Sequence, residues 1–411
     1  MAAAPGYPDI AAALVRQDFA DVIDGVRAAV AADGAAALTD SGIQDWLGRR
    51  YRNIFLTECA NDASALRAAK VPMPVQLIDR RSSRELLAAR FLKGVNRQES
   101  QAQLPDAKEP KLKGSTLLFV PGLMTGLLPV MAFQSVWGRI EDRFGVRILG
   151  ADVHPVRSCE DNAGDVKLAL EKGRGFDADS QHIPPKEAVK PKDVVLLGYD
   201  KGAADALTFL VDNPKLRSRV KAFVGWAGIF GGSYIADDIY PRLAAASTGS
   251  SPLSGQIGKM LRQIVPVVQA DRVTTRLEEY DVRAAIGDIT TEARGQYLAD
   301  NVDQLNELGV PTFTLDGVTS LREVPYYQAM GVLQINSYDK NNDMLVTVGQ
   351  ARLPVAYSTP LATFRGHHWD LAYDPFPWFT RMGSLNVDHK FARYPAMAAL
   401  LILLAEIGLM N

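Results

Sequence analysis

The stretch DVVLLGYDKGAADAL, Asp193 to Leu207, holds the residue with the most chemistry to explain. An apolar run leads into Gly198-Tyr199-Asp200-Lys201-Gly202, and a helical pattern follows. This is the G-x-nucleophile-x-G arrangement, in which a strained turn between strand and helix lifts one side chain clear of a sheet. Small residues flank the apex because neighbouring backbone passes too close for larger ones. Here the apex is Asp200 instead of serine. Its carboxylate would sit at a helix N-terminus, where an anion is favoured. A plainer reading is an N-cap aspartate in an ordinary strand-to-helix turn. The motif alone divides evenly between the two.

Other residues favour the first reading. FVPGLMTG, Phe119 to Gly126, follows an apolar run and could turn the Leu123 N–H toward the apex; the Lys201 N–H lies just past it. Two such donors suit a developing oxyanion. NNDMLV offers Asp343, and FRGHHWD offers His367 and His368. The chain order nucleophile, acid, histidine is the one expected after such a turn. Of the 5 histidines, two adjoin just after a predicted strand, so the general base is sought there. Asp316, ending TFTLDG, is the alternate acid, although Asp343 is preferred. The Lys201 side chain is expected to point away from the apex, leaving its backbone as the useful part. Asp205 reads as a solvated helix residue, and His154 and Cys159 as structural. Trp369, Phe376, Trp378 and Phe379 read as packing around the histidine loop. SYDKNND, Ser337 to Asp343, is oxygen-rich enough to raise a calcium site, but such turns are common and no metal is assigned.

These residues need elements to hold them. STLLFVPG, VRILGADV, DVVLLG and VKAFVGWAG are apolar without alternation, as strands buried on both faces are. VPTFTLDG and STPLATFRG resume the pattern further on. Helical segments such as PVMAFQSVWGRIEDRFG and GAADALTFLVDNP separate them, so strand and helix alternate around a mostly parallel sheet. After Gly231 the strands stop for some 75 residues, and QIGKMLRQIVPVVQ and ITTEARGQYLADNVDQLNEL suggest a helical lid over about 232–306. Residues 1–112 read as an N-terminal helical extension ending in the polar linker NRQESQAQLPDAKEPKLKG, and 113–411 as the α/β domain.

Composition restricts the partners. With 47% hydrophobic and 22% charged residues and a net charge of −2, the chain is an ordinary globular protein without a basic stripe for nucleic acid. Its 2 cysteines, Cys59 and Cys159, form no metal-binding spacing. MAAAPGYPDI has no signal-peptide pattern, and AMAALLILLAEIGL is too short for a confident membrane span, so a buried C-terminal helix and a cytoplasmic protein are expected.

From about residue 115 to 375 the chain resembles the α/β-hydrolase superfamily, and within it the bacterial lipases and related esterases. The likeness rests on the elbow, on GWAGIFGGSYIADD after the next strand, and on the ND-x-LV … H-x-D ending. It implies that Gly231, Gly232 and Ser233 form a short loop before an acidic helix start, and that Asp343 is the triad acid. It further implies that His368, with Asp370 two residues on, is the histidine ahead of His367, and that the oxyanion role falls to Leu123. Three positions depart from the pattern: Asp200 for serine, Met344 for glycine and Pro121 for histidine. Residues 1–110 lie outside the resemblance.

The first departure bears on activity. A carboxylate attacking an acyl carbon yields a mixed anhydride, so ester hydrolysis should suffer. Displacement at a saturated carbon suits it better, with a histidine then activating water against the alkyl ester. Haloalkane and haloacid dehalogenases and epoxide hydrolases of the same superfamily use aspartate at this position. GYDKGA is similar to some of the haloacid type, but those compact enzymes lack the long helical insertion. Three functions follow. The preferred one is a hydrolase scaffold for an ester, thioester or lactone of an apolar acyl group, Asp200 being a natural divergence or a substitution of serine. The others are an Asp-nucleophile hydrolase and a catalytically silent binding member. None requires a cofactor. The expected partner is a small apolar molecule, and a homo-oligomer through the N-terminal helices is left open.

Overall fold

The computed structural model describes residues 7–70, 79–245, 269, 276–325, 329–377 and 390–411. The six apolar runs form the strands β1 (Thr116–Val120), β2 (Arg147–Gly150), β3 (Val194–Tyr199), β4 (Val220–Trp226), β5 (Thr312–Val318) and β6 (Ser358–Arg365). They pair in the order β2-β1-β3-β4-β5-β6, every neighbour parallel. Strands β1, β3 and β5 are buried along their whole length, which explains why their sequences do not alternate.

The chain leaves β1 for β2 on one side and returns to β3 on the other. That reversal opens a crevice beyond the carboxyl ends of β1 and β3, the place where open parallel sheets bind ligands. The loop carrying Leu123 follows β1, and Asp200 follows β3. Strand order alone therefore brings together two segments that are 77 residues apart in sequence.

Helices Cys159–Lys172 and Lys201–Asp212 pack against each other beside the sheet. The long helix Ser41–Asn61 starts with the Asp40 carboxylate accepting the Ile43 N–H at 3.0 Å. It packs on β6 and on the C-terminal helix Arg393–Glu406. Arg50 reaches across that contact to both oxygens of Glu406, at 2.8 and 2.6 Å. The one charged side chain in the C-terminal apolar run thus has a fixed partner, and Phe55 packs against Phe364 and Phe391 beside it. Among the described residues no helix is long and apolar enough to cross a membrane.

Three expectations are corrected. The helix read over PVMAFQSVWGRIEDRFG is confined to Trp137–Phe144. Phe133 adopts a left-handed φ of 57° and donates its N–H to Ala372, because its ring is drawn in among Phe119, Trp137, Tyr199 and Trp226. The stretch before Ser115 is strapped down: Leu112 is buried and bonded to Phe144, and Arg50 donates to Pro105 O. Asp205 is buried against Lys201 instead of solvated. Between β4 and β5 the chain forms helices Tyr234–Ala245, Val282–Gly287, Thr291–Asp300 and Val302–Asn306. Of QIGKMLRQIVPVVQ only Gln269 lies within the described residues, and Trp378 and Phe379 lie outside them.

Candidate active site

Asp200 has φ 55° and ψ −131°, a conformation that a non-glycine residue adopts only when its surroundings impose it. Its N–H donates to Trp226 O at 3.3 Å, and its carbonyl accepts the N–H groups of Ala203 at 3.1 Å and Ile229 at 3.2 Å. The turn also touches the β1 loop. A Cβ on Gly202 would lie 2.2 Å from Val120 O and 2.4 Å from Pro121 O, so only glycine lets the new helix start there.

The apex carboxylate bridges two groups. Its Oδ2 accepts the Leu123 N–H at 2.9 Å, and its Oδ1 lies 3.4 Å from His368 Nε2. On the far side of the ring, His368 Nδ1 is 2.7 Å from Asp343 Oδ2. Asp343 is itself held: its Oδ1 accepts N–H groups from Leu345 at 3.0 Å and Val346 at 2.8 Å, and its carbonyl accepts the His368 N–H at 2.8 Å. Tyr199 donates its hydroxyl to His368 O at 3.0 Å and packs its ring 5.1 Å from the imidazole. Sequence reasoning passed over Tyr199, whose position beside the apex is its only signal.

His368 is fully buried, and burial alone would push its pKa down. The negative charge of Asp343, with that of Asp200, outweighs this and carries the imidazole up to about 10. At neutral pH the imidazole is therefore held in its charged form, between the side chains of Asp200 and Asp343.

The remaining candidates fall elsewhere. Lys201 turns its amine away from the apex, to 2.6 Å from Asp205 Oδ1. Its N–H opens the helix and lacks an intrahelical acceptor, as the first turn of any helix does. Asp316 is buried and paired with Arg352 Nε at 2.7 Å, while Asp343 is the acid that meets His368. His367 Nδ1 accepts the Asp370 N–H at 3.1 Å, which shapes the histidine loop. His154 Nδ1 accepts the Val156 N–H at 3.1 Å, and burial pushes its pKa down to about 4. Cys159, like Cys59, is buried and free. In SYDKNND the Asp339 carboxylate takes the Asn341 N–H at 2.8 Å, and Asn342 Nδ2 donates to Asp339 O at 2.7 Å. Trp369 and Phe376 pack at 5.3 Å between ring centres.

Asp200 and Leu123 open into a cavity of about 320 Å³. Leu128, Ile229, Ile239, Ile286, Ile289 and Met344 give it apolar walls, with Ile239 and Ile286 coming from the helices between β4 and β5. Ser233 also lines it and donates its hydroxyl to Leu345 O at 2.6 Å, tying the Gly231-Gly232-Ser233 loop to the segment that carries Asp343.

No protein-family model matches the sequence, and no curated protein matches it. Among solved structures, a metagenomic carboxyl esterase superposes with a TM-score of 0.61 at 18% identity, covering 87% of this chain and 91% of that one. A mature lipase from Bacillus licheniformis superposes with a TM-score of 0.42 at 19% identity, covering 64% of this chain and 89% of that one. The first match covers more of this chain than residues 113–411 make up, so the likeness reaches into the N-terminal helices. At such identities the likeness is one of architecture, and together with the parallel six-stranded sheet it establishes that the chain has the α/β-hydrolase fold.

Proposed function

We propose that this chain is a hydrolase scaffold for an ester, thioester or lactone of an apolar acyl group, with Asp200 at the nucleophile position. The observation that carries the reading is convergence: His368 and the Leu123 N–H meet the apex side chain from two sides, beside a cavity lined mainly by apolar side chains. In these roles Asp343 orients His368, His368 is the base, and the N–H groups of Leu123 and Lys201 receive the oxyanion. The cavity is at the small end of the range of about 300–1,000 Å³ for small-molecule sites, which favours a modest acyl chain.

Asp200 restrains that chemistry. Its Oδ2 takes the N–H that would polarise a substrate carbonyl, and its charge adds to that of Asp343 in holding the proton on His368. Asp200→Ser frees the Leu123 N–H and lowers the proton affinity of His368, with Asp343 keeping part of the elevation. On p-nitrophenyl butyrate it is expected to raise the rate by at least about 100-fold, the scale of a single oxyanion contact. No gain in a folded variant would sink the reading.

The two-sided contact also supports a second reading, nucleophilic attack by Asp200 itself. Oδ1 would attack a saturated carbon and expel halide or an epoxide oxygen. Oδ2 would become the carbonyl oxygen of the enzyme ester, already facing the Leu123 N–H. With the Asp200 charge gone, His368 would lose part of its excess proton affinity and, once deprotonated, could activate the water that cleaves the ester. Halide release from a haloalkanoate panel by the unaltered chain, abolished by Asp200→Ser, would favour this reading over the first.

A further inference from the structure

We propose that Lys201, Asp205 and Asn162 are positioning residues, forming a buried relay from the helix after the apex to the loop that presents the Leu123 N–H. The inference deepens the reading of Leu123 as an oxyanion donor and rests on it.

The relay can be followed atom by atom. Lys201 Nζ is 2.6 Å from Asp205 Oδ1, one helical turn on, and both residues are 1% exposed. The other carboxylate oxygen of Asp205 accepts Asn162 Nδ2 at 2.9 Å. Asn162, also 1% exposed, clasps the backbone of His154 on both sides: its Oδ1 accepts the His154 N–H at 3.1 Å, and its Nδ2 donates to His154 O at 3.2 Å. The next carbonyl, Pro155 O, accepts the Met124 N–H at 2.8 Å. Met124 has a left-handed φ of 62°, which a methionine holds only under outside constraint, and its chain neighbour is Leu123. Each member uses its polar atoms on the next, and the last contact fixes the strained residue beside the donor.

Stability alone is a poor account of such a pair. Removing two charges from water costs about as much as their attraction returns, and apolar replacements of similar size are often neutral. What the pair supplies here is direction: the amine leaves the apex, and the carboxylate reaches the neighbouring helix Cys159–Lys172, whose Asn162 grips the loop after β2. Sequence alone could show only that Lys201 and Asp205 share a helix face.

The test uses the full chain with Asn162→Leu, with the milder Asn162→Ala, and with the paired replacement Lys201→Met/Asp205→Leu. Amide hydrogen exchange is followed by mass spectrometry on peptides covering residues 119–127 and, as an internal standard, β4. The expected result is exchange in the 119–127 peptide faster by about 10-fold or more, with β4 protection unchanged. In an Asp200→Ser background the same changes should lower kcat on p-nitrophenyl butyrate by about 10-fold or more and leave KM within about twofold, as loss of a transition-state contact does. Unchanged exchange at 119–127 would overturn the proposal. An equal loss of protection in both peptides would also overturn it, since the residues would then be merely structural. Faster exchange confined to 119–127 without ester hydrolysis in the Asp200→Ser chain would uphold the relay and sink the functional reading instead.

Discussion

His368 between two carboxylates gives the sharpest quantity to measure. Asp200→Asn keeps the size of the apex side chain and removes its charge. The rise of the imidazole from 6.5 to about 10 corresponds to about 5 kcal/mol of preference for the protonated ring. At 3.4 Å and an effective dielectric near 20, the Asp200 carboxylate alone can supply an attraction of up to about 5 kcal/mol. Asp343, at 2.7 Å, remains in the variant and keeps part of the elevation. The expected fall of the His368 midpoint on Asp200→Asn is therefore on the order of two pH units. The sign follows from linkage. A histidine whose folded pKa is raised contributes stability that is complete below its unfolded value of 6.5 and is lost as pH climbs toward 10. In Asp200→Asn that loss begins at the same unfolded value but is complete about two pH units sooner, so the variant's deficit in urea should be full at neutral pH, shrink above about pH 8 and vanish near pH 10. The imidazole ¹⁵N shifts of His368, followed from pH 5 to 11, report the midpoint directly. A midpoint near 6.5 in the unaltered chain, or one that does not fall in Asp200→Asn, would refute the ion-paired description of the site.

Two further expectations concern the scaffold. Gly202→Ala sets a Cβ against the rigid carbonyls of Val120 and Pro121; it should cost about 1–3 kcal/mol in urea unfolding and reduce the activity of an Asp200→Ser chain. Arg50→Met strands the Glu406 carboxylate in the helix contact and should cost about 3–5 kcal/mol, much of it recovered by adding Glu406→Leu. A deficit that persists in the double variant would mean that Arg50 acts through its other bond, to Pro105 O.

Short-range signals were sufficient for much of this protein. Mostly apolar runs marked six strands, because a parallel sheet covered on both faces buries most of its side chains, and all of them in β1, β3 and β5. The elbow was readable from Gly198 and Gly202, since close backbone approach excludes larger residues. Asp343 and His368 could be named from chain order and a resemblance, and it was the fold that set them 2.7 Å apart. Other features had no local signature. Asp205 has the charge of a surface residue, and only the arrival of Asn162 from the adjoining helix, with Lys201 one turn back, explains its burial. Helix Ser41–Asn61 reads as one among several N-terminal helices, yet Arg50 and Phe55 make it a wall of the main core through partners more than 300 residues away. The state of His368 is likewise a tertiary property. Which residues can titrate is written in the chain, but the proton affinity of one imidazole depends on burial and on the distance to two carboxylates, and only the packed structure sets these.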